Sequence, residues 1–155
     1  FGLDSCRPWN PVYVRLLSAL PPRFPITPEQ IDTVVTEFYA RVREDETLGP
    51  VFFESLPPLP KTWMVHEEKI AAFWRNAILF ERSYDGNPQK VHSERDAVEA
   101  EHFAVWLDLF DVVLKEKLHP EQAAAWSDLA HRIGRGLKMG VVQSRAKYGD
   151  VPDLG

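Results

Sequence analysis

Apolar side chains recur at helical spacing in four long segments of this chain, and nowhere do they alternate with the period of two that marks a strand. The first stripe is Ile31, Val34, Val35, Phe38 and Val42, with Tyr39 at its edge. The second is Trp63, His66, Ile70, Phe73, Trp74, Ala77 and Ile78, which puts a histidine inside an apolar face. The third, within residues 98–117, is Phe103, Trp106, Leu107, Phe110, Val113 and Leu114. The fourth is Trp126, Leu129, Ala130, Ile133 and Leu137. Such stripes are buried by packing helices on one another. The expected fold class is therefore all-α.

Caps and breakers divide these segments. Thr27-Pro28-Glu29-Gln30 is a capping box with proline at the first helical position. Leu48-Gly49-Pro50 is expected to end that helix, with Val51-Phe52-Phe53 as a short apolar piece before the bend forced by Pro57, Pro58 and Pro60. The second long helix is expected from about Thr62 to Phe80, and His119-Pro120-Glu121 opens the last one. Between them, Tyr84-Asp-Gly-Asn-Pro-Gln-Lys-Val-His92 reads as a tight turn that launches a short polar helix. Asn87 suits the cap and Pro88 the position after it, so His92 falls one turn in. Residues 1–26 form a proline-rich leader whose one short helix, begun at Asn10-Pro11 and stopped by Pro21-Pro22, is expected to dock on the body in preference to a partner. One domain over residues 27–145 and a tail over 146–155 complete the expected organisation.

With 155 residues the chain supports one domain with a real core. Its formal charge of −5, without a basic run, argues against nucleic acid or an anionic membrane as the main partner. Cys6 is the single cysteine, which excludes an intrachain disulfide and a cysteine-based zinc site. No apolar run approaches the roughly 20 residues that cross a bilayer, and the first residues lack the pattern of a secretory signal. The expected location is cytoplasmic.

The inward faces carry more polarity than packing requires. Tyr39, His66 and Trp106 lie on or beside the stripes of three different helices, and each needs a hydrogen-bond partner if buried. A single buried histidine reads first as satisfied core. Three polar tips together with a turn-positioned His92 fit a cavity with a polar wall on one side and a metal ligand on the other. Zinc would need three or four ligands, usually with carboxylates or cysteines nearby. Haem iron needs one protein ligand, an apolar slot and a tuned opposite side. The aromatic supply of Phe52, Phe73, Trp74, Phe103, Trp106 and Phe110 suits a flat macrocycle, so haem is the better fit of the two.

An ordered series of residues carries a resemblance. It runs Phe38-Tyr39, Val42-Arg43, Asp45, Leu48-Gly49-Pro50-Val51-Phe52, Trp63, His66, Lys69-Ile70, Phe73-Trp74, Tyr84, Gly86, Pro88, His92, Phe103, Trp106-Leu107 and Phe110. This series, spanning about residues 28–140, resembles the truncated haemoglobins, and most narrowly their third group. The resemblance implies a two-over-two helical sandwich around haem b. It assigns His92 as the proximal iron ligand and Tyr39, His66 and Trp106 as the distal residues facing a bound O2, NO or CO. Phe52 matches the phenylalanine wedged against the macrocycle, and Lys69 falls where a residue able to reach a propionate is common. Ile70, Phe73, Trp74, Tyr84, Val91, Phe103 and Phe110 are expected to contact the cofactor. The long leader, the charged stretch 93–101 and Glu81-Arg82 depart from the family pattern.

Three function classes follow from the resemblance. The first is reversible binding of a diatomic gas. The second is haem enzymology, as an NO dioxygenase or peroxidase-like catalyst drawing electrons from a separate reductase. The third is sensing through a partner protein. A monomer or weak dimer is expected.

Overall fold

The computed structural model describes residues 21–82 and 98–148, with side chains as far as residue 144. Five helices stand in this part of the chain: α1 Pro28–Glu44, α2 Leu48–Phe53, α3 Pro60–Leu79, α4 His102–Lys117 and α5 Pro120–Tyr148. No strand occurs among the described residues, as the period of the apolar stripes requires.

The capping box opens α1 as read from the sequence. Thr27 accepts from the Gln30 N–H at 3.1 Å, and the Gln30 side chain accepts from the Thr27 N–H at 3.0 Å. Leu48-Gly49-Pro50 behaves differently from expectation, because it begins a helix of its own. The reason is Asp45, whose Oδ1 accepts from the backbone N–H groups of Thr47 at 2.9 Å and Leu48 at 2.8 Å. Proline is tolerated in the first turn this cap creates. Gly49 allows the close approach of the two helices, since a Cβ there would stand 3.2 Å from the Arg43 carbonyl oxygen.

Helix α3 starts at Pro60, two residues before the expected boundary, and ends at Leu79 with Phe80 as its cap. Phe80 is left-handed at φ 62°, a conformation usually left to glycine. Arg23 secures this end: its N–H donates to the Ile78 carbonyl at 2.9 Å and its Nε to the Ala77 carbonyl at 2.7 Å. Its guanidinium also lies over the Phe80 ring, 5.2 Å from the centroid. Helix α4 starts at His102 rather than near residue 98, because Glu99 and His102 close a turn on themselves.

Helix α1 packs on α3, α4 packs on α5, and α1 against α4 joins the two pairs, with α2 tucked against α1 and α4. Phe38 is fully buried at the crossing. Its ring meets Tyr39 at 4.9 Å, Trp106 at 4.9 Å and Phe110 at 5.0 Å, each edge to face. Trp74 stacks on Phe110 at 5.7 Å, and Trp126 closes the group against both. Burying side chains of this size contributes about 1.5–3 kcal/mol each before entropy. The cluster therefore fixes where Tyr39 and Trp106 stand. The short helix expected in the leader lies outside the described residues, although Phe24 and Ile26 do pack against the core.

Candidate functional site

A cavity of about 690 Å³ opens between the helix pairs. That is within the 300–1,000 Å³ typical of small-molecule and cofactor pockets. Every long helix contributes to its wall: Tyr39 from α1, His66, Lys69, Ile70, Phe73 and Trp74 from α3, Phe103 and Trp106 from α4, and Ala130, Ile133, Gly134 and Leu137 from α5. Helix α2 adds Phe52. The polar tips singled out in the sequence converge on this space. The Tyr39 and His66 rings meet edge to face at 4.9 Å, and Phe52 stands 5.8 Å from each.

Tyr39 is buried, and burial pushes its phenol well above the ordinary tyrosine range. The Trp106 indole N–H pulls the other way as a donor to the phenolic oxygen, and the Glu67 carboxylate adds to the upward shift. An indole can only donate, so Trp106 acts on the phenolic oxygen and not on its hydrogen. The outcome is a phenol kept neutral by burial in a mostly apolar chamber.

Not every expected contact lines the cavity. Phe110 stands behind the wall, stacked on Trp106 at 4.9 Å and on Trp74. Tyr84, Val91 and His92 lie outside the described residues. Lys69 lies exposed at the rim, beside Lys61 and the exposed side chains of Leu59 and Val65. Lys61, Val65 and Lys69 are four apart, a signal that reading only for apolar stripes passed over. His102 lines the cavity as well, although its sequence position looks peripheral. Its spacing of four from Trp106 was the available clue. Among the described residues no group of three histidine, cysteine, aspartate or glutamate side chains stands together as a metal cluster.

No protein-family model matches the chain. The group 3 truncated hemoglobin ctb of Campylobacter jejuni is 36% identical over 86 residues, which is 56% of this chain and 68% of that protein. This chain belongs to the group 3 truncated haemoglobins. The crystal structure of the group III truncated hemoglobin from Campylobacter jejuni superposes with a TM-score of 0.73 at 30% identity, over 76% of this chain and 92% of that one. The all-α expectation and the family resemblance both stand on these comparisons. Among the described residues, no helix of this truncated haemoglobin is long and apolar enough to cross a membrane.

Proposed function

We propose that this truncated haemoglobin binds a diatomic gas, O2 first among O2, NO and CO, at a haem b seated in the cavity. The observation that carries the reading is the chamber itself, apolar and aromatic on most sides, with Tyr39, His66 and Trp106 gathered at one part of its wall. Haem would supply an iron that takes one protein ligand and binds the gas. His92 fills the protein's position in this reading. Phe52, Ile70, Phe73, Trp74 and Phe103 hold the macrocycle by apolar contact, joined from the other segment by Tyr84 and Val91. Lys69, which lines the cavity and is exposed, would meet an acidic side arm in this reading.

The donors act by preorganisation. A phenol kept neutral by burial presents its O–H without rearrangement to a ligand that gains negative character. Trp106 holds the phenolic oxygen in place, so its contribution passes partly through Tyr39. His66, edge-on to Tyr39, belongs to the same part of the wall. A hydrogen bond to a charged acceptor is worth roughly 1.5–3 kcal/mol, which favours slow release over bulk transport. The same donors would serve oxidation of NO or turnover of peroxide with electrons from a separate reductase, which is the second reading.

Titrating the purified protein with hemin tests the proposal. One equivalent is expected to saturate a Soret band, and a titration without saturation would overturn it. Mixing the oxygenated ferrous protein with NO under an external reductant separates the two readings: repeated turnover marks the enzyme, and a single turnover marks the carrier.

A further inference from the structure

His102 has a ring whose tautomer is set by the backbone. The Glu99 N–H donates to its Nδ1 at 2.9 Å, while the His102 N–H returns to the Glu99 carbonyl at 3.0 Å. A backbone amide can only donate, so Nδ1 keeps its lone pair and the neutral ring carries its proton on Nε2. This ring lines the cavity, and Nε2 has no hydrogen-bond partner among the described residues. A nitrogen that carries a proton has no lone pair for a metal. His102 is thereby unsuited to ligate iron through its remaining nitrogen, and suited to donate from it.

We infer that His102 is a carboxylate-binding residue of the cavity wall, donating Nε2–H to an acidic side arm of the bound macrocycle. The assignment rests on the haem reading above. It differs from that reading in placing a donor on α4, away from Lys69 on α3. Two polar contacts on opposite helix pairs fix the rotation of a flat ligand in its slot, which apolar contacts alone leave free. The reciprocal turn at residues 99–102 is what makes the donor rigid, since both its hydrogen bonds involve the same two residues.

The test compares hemin with hemin dimethyl ester, whose acidic arms are blocked. The wild-type protein, His102→Phe and His102→Gln are each loaded with either macrocycle, and loss to excess apomyoglobin is timed. His102→Phe should speed the loss of hemin about tenfold and leave loss of the ester unchanged, with His102→Gln, which retains an N–H donor, nearer wild type. Nitrogen NMR of the imidazole-labelled protein should show the Nε2–H tautomer. Equal acceleration for both macrocycles would make His102 a packing residue and overturn the assignment. So would unchanged rates for both, or an Nδ1–H tautomer. If the wild type retains neither macrocycle, the haem reading itself has failed, an outcome distinct from these.

Discussion

The Arg43 Nη1 stands 2.9 Å from Glu67 Oε2, joining the last turn of α1 to the residue that follows His66 on α3. The same guanidinium lies over the Trp63 ring at 4.9 Å from the centroid. Trp63 in turn touches His66 at 5.6 Å, Phe52 at 6.0 Å and Tyr39 at 6.3 Å. One ion pair thus braces the ring group behind the polar wall of the cavity.

Because both partners are only partly buried, this pair should stabilise the fold modestly, by about 1 kcal/mol. Arg43→Leu and Glu67→Leu are each expected to lower stability by about that amount, and the double variant by less than their sum. Urea denaturation of all four proteins measures the coupling. Strict additivity would show that the pair is incidental.

Tyr39→Phe removes the hydroxyl that Trp106 holds, and Trp106→Phe removes the donor that holds it. In the gas-binding reading, the first change should speed O2 dissociation about tenfold or more, and the second by less, since part of its effect passes through Tyr39. Stopped-flow displacement by CO reads both rates. A larger effect at Trp106 than at Tyr39 would reverse the assigned order of donors.

The raised pKa of Tyr39 has a consequence for stability. A phenol whose folded pKa exceeds its unfolded value of about 10 keeps more protons in the folded state above that pH. Stability is therefore expected to fall as pH rises past about 10, and the wild type should lose more of it than Tyr39→Phe. Chemical denaturation at stepped pH gives the difference. Below that range the difference should be flat with pH, and a slope near neutrality would contradict the account.

Asp45 should be costly to replace. Its carboxylate caps α2 through two backbone donors, and α2 carries Phe52 into the cavity. Asp45→Ala is expected to destabilise by about 1–2 kcal/mol and to weaken hemin retention. Asp45→Asn, which keeps an acceptor oxygen, should recover most of both. Equal losses in the two variants would place the effect elsewhere.

The sequence made the long helices legible because each buries a stripe that repeats at its own period. Tyr39, His66 and Trp106 could be named from the same stripes and Phe52 from the short apolar piece after α1, and they do share one cavity. What escaped depended on contacts the period does not encode. Asp45 turns an apparent terminator into a helix start, and Phe80 ends α3 in a left-handed conformation that Arg23 holds from 57 positions away in sequence. Phe110 shares a stripe with Trp106, yet the four-residue offset between them puts one ring behind the other. His102 looks peripheral in the sequence because its place in the cavity wall depends on a turn with Glu99 that no apolar pattern announces.

The central claim of the proposal is that His92 would be the iron ligand of a bound haem, with Tyr39, His66 and Trp106 serving the gas. The absorbance spectrum of the ferrous protein with and without CO, taken for the wild type and for His92→Ala, tests it directly. The account predicts a sharp CO-shifted Soret band for the wild type and loss of haem, or a histidine-free spectrum restored by added imidazole, for His92→Ala. An unchanged CO spectrum and unchanged haem content in His92→Ala would contradict it.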